Sequence, residues 1–273
     1  MKPVHKIVII LIVLLVVALL IFFLLRKPTI EGQVVNKPSQ DRSLNATIRI
    51  ANWNLQIFGQ SKASKPDLMA KYVGEIGKYD IVFVQEIRDS SGIAFEELCS
   101  LLPEYDCKVS SRAGQTSSKE QYGVMYRKGL QLLSMTDFNQ KYQADFQRPP
   151  LLVVFNLTLS DLSVYNIHID PDKVASELKA LESVVNSSGN VIILGDLNAD
   201  CSYYNPSASP EFDSWFWIIK DNEDTTVAST NCAYDRIILN MQAKDQFIGY
   251  GIDKNVTSDM SDHYLVWAEM RGS

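Results

Sequence analysis

The sequence is poor in histidine and cysteine, and it has no excess of positive charge. Its 273 residues carry a formal net charge of −6, which argues against a broad basic surface for nucleic acid, because phosphate contacts need nearby lysines or arginines. Contact with a few phosphates, and cation binding among carboxylates, stay compatible with this charge. No internal repeat is present, and the composition is that of a globular protein with one large or two small domains.

The four cysteines do not form a metal-binding pattern. None lies in a CxxC pair, and none is accompanied by histidines at zinc-ligand spacing. An even number without such a pattern fits two disulfides in an oxidising compartment, with inert buried thiols as the alternative. The disulfide interpretation places the folded part outside the cytoplasm. The residues are Cys99, Cys107, Cys201 and Cys232.

One long apolar run lies near the amino terminus. Residues Ile7 to Leu25 are all apolar, and as a helix they would measure about 28 Å, close to the hydrocarbon thickness of a bilayer. We favour an uncleaved single-pass anchor over a cleaved signal peptide, whose apolar stretch is shorter and ends at a small-residue cleavage site. The predicted division is a cytoplasmic lead and anchor over 1–27, a polar linker over 28–45 and an extracytoplasmic domain over 46–273.

The domain sequence alternates between strand and helix patterns. A strand is predicted from Ile48 to Asn54, and a second buried strand ends in charge at Glu86 to Asp89. Further strands are predicted near Tyr122, Leu151, Leu162, Val191, Asp235 and Leu265. Predicted helices follow Pro66, span Phe95–Leu102, begin at Pro171 behind an Asp170 cap, and form a short core segment over Asp213–Ile219.

Polar side chains stand at the ends of these predicted strands. The apolar run Val191–Leu194 passes directly into Gly195, Asp196 and Asn198, which indicates a buried strand that delivers a carboxylate and an amide from its end. A strand followed by an ordinary polar turn is the alternative for this stretch taken alone. Similar positions are occupied by Asn54, Glu86, His168, Asp235, Asp262 and His263, and such ends converge on one rim of a sandwich.

The histidines favour a catalytic site at that rim. Of three histidines, His5 precedes the apolar run, and both His168 and His263 stand at strand ends. One imidazole can take a proton from water while another protonates a leaving oxygen, and a carboxylate fixes each ring's tautomer. A hard divalent cation takes oxygen ligands from Asn, Asp and Glu, and Glu86 needs either Arg88 or such a cation beside it. This combination suits phosphodiester hydrolysis.

Several stretches together resemble the deoxyribonuclease I family. They are Gln85–Asp89, Lys119–Tyr122, Gly195–Tyr203, Asp224–Thr226, the run Ser229–Ile237 ending Asn-Cys-Ala-Tyr-Asp-Arg-Ile, and Ser261–Tyr264. The resemblance extends from Ile48 to Met270. It implies an α/β (α+β) fold, a four-layered αββα sandwich of two packed mixed β-sheets flanked by helices. It also implies a metal-dependent endonuclease of the endonuclease/exonuclease/phosphatase superfamily that yields 5′-phosphate ends.

The resemblance also implies roles for individual residues. Asn54 and Glu86 would bind the catalytic Mg²⁺ or Mn²⁺, with Asp262 nearby. His168 would pair with Glu120 and His263 with Asp235, one pair activating water and the other protonating the leaving oxygen. Asp196 and Asn198 would orient water and phosphate, and Arg88 and Arg148 would contact DNA.

Two structural features follow from the same resemblance. Cys201 and Cys232 would form the family's structural disulfide, which closes a loop of about 30 residues and contributes about 3 to 4 kcal/mol. Asp224, Thr226 and Thr230 would form a structural Ca²⁺ loop. Cys99 and Cys107 would form a different, local bridge.

The sequence departs from the family at two DNA-contacting positions. Ser118 replaces a tyrosine that stacks in the minor groove, and Gln56 replaces an arginine. We expect DNA as the partner, the membrane through residues 7–25, and no obligate protein partner. One alternative is a phosphodiesterase acting on a phospholipid or sphingomyelin headgroup, which should carry apolar residues beside the site, and no obvious one is present. The other is a non-catalytic surface module.

Overall fold

The part of the chain that a computed structural model describes comprises residues 47–157, 160–205 and 211–272. The predicted anchor over 7–25 and the linker over 28–45 lie outside these residues. Within the described ranges, no helix is both long and apolar enough to cross a bilayer. The first described strand begins at Thr47.

Two six-stranded sheets dominate the described part. The strands are β1 (Thr47–Phe58), β2 (Ile81–Ile87), β3 (Tyr105–Val109), β4 (Gln121–Arg127), β5 (Gln131–Asp137), β6 (Leu151–Asn156), β7 (Asp161–His168), β8 (Asn190–Asp196), β9 (Phe216–Trp217), β10 (Asp235–Leu239), β11 (Phe247–Asp253) and β12 (Leu265–Arg271). The first sheet has the order β11-β12-β1-β2-β4-β3, and the second has the order β5-β6-β7-β8-β10-β9. Both sheets are mixed, because each contains one parallel pair, β1–β2 or β7–β8.

The two sheets pack face to face through an apolar core. Phe83 and Val124 from the first sheet and Phe155 and Ile192 from the second belong to this core. Helices α2 (Pro66–Ile76) and α3 (Ile93–Ser100) contribute to a cluster with the first sheet, and α4 (Val174–Val184) contributes to a cluster with the second. Two one-turn helices complete the set in these ranges, α1 (Gln60–Ala63) and α5 (Met241–Lys244). The packing is consistent with the predicted sandwich.

The predicted short helix over Asp213–Ile219 is wrong. Phe216 and Trp217 form β9 and pair antiparallel with Leu239 and Ile238 of β10. Phe216 packs against the core between the sheets, whereas Trp217 packs against the outer cluster. This alternation has the period of two that a strand requires. The aromatic residues therefore point to opposite faces of the strand and do not form one face of a helix.

Helix α4 begins later than predicted. It starts at Val174 with Lys173 as N-cap, so Pro171 is not its first residue. The carbonyl of Asp170 accepts a hydrogen bond from the Lys173 amide in a turn, and the Asp170 amide donates to Glu177 (3.2 Å). Glu177 therefore holds the segment before the helix in place of a cap from Asp170.

Both predicted disulfides are present. Cys99 bonds to Cys107 and Cys201 bonds to Cys232. The second bridge joins the segment after β8 to the segment before β10, and both strands carry candidate site residues at these ends.

Candidate active site

The ends of five strands bring most of the predicted residues together. Asn54 lies near the carboxyl end of β1 and Glu86 near that of β2, while His168 and Asp196 end the parallel strands β7 and β8. Asp235 begins β10 directly opposite Asp196. Because the carboxyl ends of parallel strands meet at one edge of a sheet, this rim collects the polar side chains as predicted.

His168 is held by a buried carboxylate. Its Nδ1 lies 2.7 Å from Oε1 of Glu120, which is fully buried. Burial alone would raise the pKa of Glu120, but the positive charges of His168, Arg148 and Arg88 outweigh it and hold that pKa below its usual value. For His168 the effect of burial is the opposite, because burial lowers the pKa of an imidazole. The negative charges of Glu120 and Asp196 outweigh it, so the pKa of His168 is raised. The pair therefore favours an ionised carboxylate beside a proton-binding ring.

His263 has an equivalent arrangement with Asp235. Its Nδ1 lies 2.7 Å from Oδ2 of Asp235. Burial raises the pKa of Asp235 to about 6, although the charge of His263 acts to lower it. Burial acts to lower the pKa of His263, but the charges of Asp235 and Asp196 raise it to about 10.

Asp196 lies between the two imidazoles. Its Oδ2 is 3.4 Å from Nε2 of His168 and 3.6 Å from Nε2 of His263, and it accepts a hydrogen bond from Asn54 Nδ2 (2.9 Å). The two Nε2 atoms therefore cannot be further apart than the sum of those two distances. Both rings can reach one small group such as a phosphate, which is the geometry that the acid–base interpretation requires.

Asn54 and Glu86 form an oxygen-rich corner beside Asp196. Asn54 Nδ2 also donates to Oε1 of Glu86 (3.2 Å), and Nη2 of Arg88 lies 3.5 Å from Oε2 of Glu86. Asp262 is about half exposed, and its Oδ1 lies 3.7 Å from Nε2 of His263. Amide and carboxylate oxygens are the ligands that Mg²⁺ and Mn²⁺ prefer, so this donor set fits such a cation.

The two predicted DNA-contacting arginines differ in accessibility. Arg148 is buried, and its guanidinium donates to the carbonyls of His168 (2.9 Å) and Ile169 (3.2 Å). The Arg88 side chain is 25% exposed between Glu86 and Glu120. Arg88 is therefore the more available to a substrate, and a contact of Arg148 with DNA stays a prediction.

Asn198 is held behind the rim. Its backbone amide donates to Oδ1 of Asp196 (3.2 Å), and its side-chain Nδ2 donates to the carbonyl of Ile169 (2.9 Å). Its φ of 50° lies in the left-handed region, which asparagine tolerates better than most residues.

Sequence reasoning missed several residues that support the site. Tyr122 donates to the carbonyl of Arg148 (3.0 Å) and accepts from the amide of His168 (3.1 Å). Asn52 donates to Oδ1 of Asp235 (3.4 Å) from inside the sandwich. Ser261 donates to the carbonyl of Asn54 (2.6 Å). Tyr122 and Ser261 lie inside the quoted motifs, but only the three-dimensional pairing gives them these partners.

Asp224, Thr226 and Thr230 meet in one loop, which pairs with the rim segment through a bridge between Thr226 and His263. The backbone amide of Thr226 donates to Oδ1 of Asp224 (2.9 Å). The hydroxyl of Thr226, which has a single hydrogen, lies within hydrogen-bond distance of both that oxygen (2.8 Å) and the carbonyl of Thr230. These donors are all oxygen atoms, which fits Ca²⁺. Nζ of Lys254 donates to the carbonyl of Asp224 (2.7 Å) and lies 3.6 Å from its Oδ2. An ammonium group therefore shares the only carboxylate of the set.

A tight cluster of Asp200, Cys201 and Cys232 does not bind metal in this form. Their potential ligand atoms lie within 4.8 Å of one another, but both sulfur atoms belong to the disulfide. The carboxylate of Asp200 instead accepts from the amide of Ala233 (2.7 Å).

Comparison with known proteins shows which family the chain belongs to. Residues 51–263 match the Endonuclease/Exonuclease/phosphatase family. The chain is 34% identical to deoxyribonuclease-1 of Gallus gallus over 230 residues, which cover 76% of this chain and 82% of that protein. It is 31% identical to deoxyribonuclease gamma of Homo sapiens over 271 residues, which cover 83% of this chain and 87% of that protein. The chain belongs to the endonuclease/exonuclease/phosphatase family.

Solved structures agree on the fold of this family. The crystal structure of D. rerio TDP2 complexed with a single-strand DNA product has a TM-score of 0.61 and 14% sequence identity, and it covers 82% of this chain and 98% of that one. The Xenopus laevis APE2 catalytic domain has a TM-score of 0.60 and 16% identity, covering 82% and 92%. The motif resemblance to the deoxyribonuclease I branch of the endonuclease/exonuclease/phosphatase family is confirmed by the sequence relatives, and the individual residue roles stay predictions.

Proposed function

We propose that the chain is a divalent-metal-dependent endonuclease that hydrolyses DNA phosphodiester bonds with little sequence preference and leaves 5′-phosphate ends. The observation that carries this proposal is the convergence of two imidazoles on Oδ2 of Asp196, each ring held from behind by its own buried carboxylate. The relatives named deoxyribonuclease support DNA as the substrate.

The two histidine–carboxylate pairs supply the proton transfers. One Nε2 takes a proton from the attacking water, and the other returns a proton to the leaving 3′ oxygen, each transfer contributing about 10² to 10⁴ in rate. Glu120 and Asp235 fix the ring orientations, because each accepts from Nδ1 and leaves Nε2 facing the rim. A divalent cation at Asn54, Glu86 and Asp262 would stabilise the charge that builds on the phosphate.

The location of the enzyme is also part of the proposal. The apolar run over 7–25 would anchor it to a membrane, and the two disulfides favour an oxidising, extracytoplasmic side for the domain. A structural Ca²⁺ at Asp224, Thr226 and Thr230 would stabilise the loop that the Cys201–Cys232 bridge closes.

A lipid headgroup phosphodiesterase is the second candidate, because of one apolar side chain. Ile57 is 60% exposed, and its amide donates to Oε2 of Glu86 (2.9 Å), so an exposed apolar side chain stands beside the proposed metal ligands. An apolar residue beside the site is the feature expected of a lipid phosphodiesterase, and the sequence alone did not indicate one. A single side chain offers little membrane contact, so DNA stays the favoured substrate.

Activity assays on the full-length chain in detergent separate the candidates. Supercoiled plasmid with Mg²⁺ and Ca²⁺ should be nicked, EDTA should stop the reaction, and His263→Ala should abolish it. Sphingomyelin and phosphatidylcholine vesicles form the parallel arm. Hydrolysis of lipid without plasmid nicking would replace the nuclease proposal by the second candidate, and no activity in either arm would favour a non-catalytic module.

A further inference from the structure

Lys62 of helix α1 is half buried among three neutral oxygens. Its Nζ donates to the carbonyls of Leu55 (2.8 Å), Gln56 (2.6 Å) and Met260 (2.7 Å). An ammonium group carries three hydrogens and no acceptor, so these three carbonyls use its whole hydrogen-bonding capacity. The arrangement joins two segments that are distant in sequence.

The first segment is a bulge in β1. Gln56 and Ile57 have positive φ values of 46° and 53°, and the pairing of β1 with β2 shifts register between Asn54 and Phe58. A β-branched residue at positive φ is an outlier that persists only where its surroundings hold it. Two of the carbonyls that Lys62 binds belong to this bulge, so the lysine is one of the groups that hold it.

The bulge directs two backbone amides at the proposed metal ligands. The amide of Gln56 donates to Oδ1 of Asn54, and the amide of Ile57 donates to Oε2 of Glu86, each at 2.9 Å. These bonds fix the rotation of both side chains. A bulge that relaxed to ordinary strand geometry would turn both amides away.

The second segment leads to the remaining site residues. Met260, whose carbonyl Lys62 binds, also accepts from the hydroxyl of Tyr72 and precedes Ser261. Ser261 donates to the carbonyl of Asn54 (2.6 Å) and accepts from the amide of His263 (3.0 Å). The segment therefore carries Asp262 and His263 along the same edge that the bulge occupies.

We propose that Lys62 is a positioning residue that fastens the β1 bulge to the Met260–His263 segment, and thereby orients Asn54 and Glu86, and the segment that carries Asp262, for binding a divalent cation. Burial lowers the pKa of Lys62 to about 8, against the charges of Asp262 and Glu86. The hydrogen bonds to the three carbonyls thus offset the loss of hydration of the partly buried ammonium group. The inference rests on the proposed metal dependence but not on the identity of the substrate.

Direct metal binding tests this role. Full-length protein in detergent is stripped with EDTA and titrated with Mn²⁺, and bound Mn²⁺ is followed by electron paramagnetic resonance. The Mn²⁺ binding that is present in the wild type and lost in Glu86→Gln is assigned to the proposed metal site. Lys62→Met should weaken that binding about 10- to 100-fold, which is the usual effect of losing a residue that orients metal ligands. Lys65→Met, which removes the exposed lysine that precedes helix α2, should bind Mn²⁺ like the wild type.

The outcomes separate this inference from the proposed function. Folded Lys62→Met with wild-type Mn²⁺ affinity overturns the positioning role, whether or not the wild type cleaves DNA. Absence of Glu86-dependent Mn²⁺ binding in the wild type overturns both proposals. If Lys62→Met shows no cooperative thermal unfolding, Lys62→Arg decides, because a planar guanidinium cannot direct hydrogens at three carbonyls placed around an ammonium. Unchanged Mn²⁺ affinity in Lys62→Arg then overturns the role.

Discussion

At the scale of single residues, each candidate catalytic histidine has its own carboxylate behind it, and the two histidines share Asp196 in front. Glu120 and Asp235 contact the Nδ1 atoms at 2.7 Å, and Asp196 lies near both Nε2 atoms. The rear carboxylates are fully buried, so their charge acts on the rings with little screening by water. The charge of the rear carboxylate should therefore control the protonation of its histidine.

Replacing Asp235 with asparagine should lower the pKa of His263. The charges of Asp235 and Asp196 raise this pKa to about 10 against the effect of burial. Asparagine keeps the shape of the side chain and removes its charge, so the pKa should move toward the unperturbed value of about 6.5. Nuclear magnetic resonance titration of the metal-free protein measures both histidines. The pKa of His168 serves as the internal control, and an unchanged His263 would contradict the pairing.

The same pair should make stability depend on pH. A histidine whose pKa is higher in the folded than in the unfolded protein stabilises the fold fully below about pH 6.5. That contribution is lost as the pH rises through the folded pKa of about 10. Urea unfolding of the metal-free wild type should therefore show a free energy of unfolding that falls across this window. The fall should be smaller in Asp235→Asn, and equal slopes would argue against a raised His263 pKa.

At the scale of elements, β8 delivers Asp196 only because a glycine precedes it. A Cβ at Gly195, whose φ is 151°, would lie 1.7 Å from the carbonyl oxygen of Ile167 on the adjacent strand β7. The Gly-Asp-Leu-Asn motif thus reflects the close approach of two parallel strands as well as chemistry. Neither strand can shift without moving His168 or Asp196, which are paired in register.

Gly195→Ala should therefore be among the most damaging single substitutions. We expect a loss of more than about 4 kcal/mol, a size reserved for severe clashes and strain, or no folding at all. Gly74→Ala on the exposed face of α2 is the matched control, because a Cβ there contacts nothing within 4 Å. It should stabilise the protein by about 0.5 to 1 kcal/mol. Urea denaturation compares the two, and a near-neutral Gly195→Ala would show that β7 and β8 are not packed as described.

The Asp224–Thr230 loop can be tested for Ca²⁺ binding through its effect on thermal stability. Ca²⁺ that binds only the folded protein raises its melting temperature, and Lys254 competes for the charge of Asp224. We expect Ca²⁺ to raise the melting temperature of the wild type, to raise it more in Lys254→Gln, and to have no effect in Asp224→Asn. Lys179→Gln, which alters an exposed lysine of α4, should behave like the wild type. Equal Ca²⁺ responses in all four proteins would contradict a Ca²⁺ site in this loop.

At the scale of the whole molecule, the sequence predicted the rim because buried apolar runs end in polar residues. It did not predict β5 or β11, whose alternation is weak because exposed and half-buried residues are mixed along both edge strands. The pairing of Glu120 with His168 came only from the family resemblance, since β4 and β7 belong to different sheets. The buried side chain of Gln85 in β2 donates to Asn52 on the neighbouring strand β1 and to Asn166 on β7 of the other sheet, at 2.6 Å each, and no local pattern indicates the contact between the sheets.

The proposed chemistry needs two imidazoles that act on one phosphodiester, and the chemistry of the cut ends tests this most directly. Full-length wild type, His168→Ala and His263→Ala are incubated with a labelled DNA duplex and Mg²⁺, and the ends are identified with ligase and phosphatase. We predict 5′-phosphate and 3′-hydroxyl ends from the wild type, and at least a 10²-fold loss of rate in each variant. Ends that carry 3′-phosphate, or cleavage that survives loss of either histidine, would contradict the account.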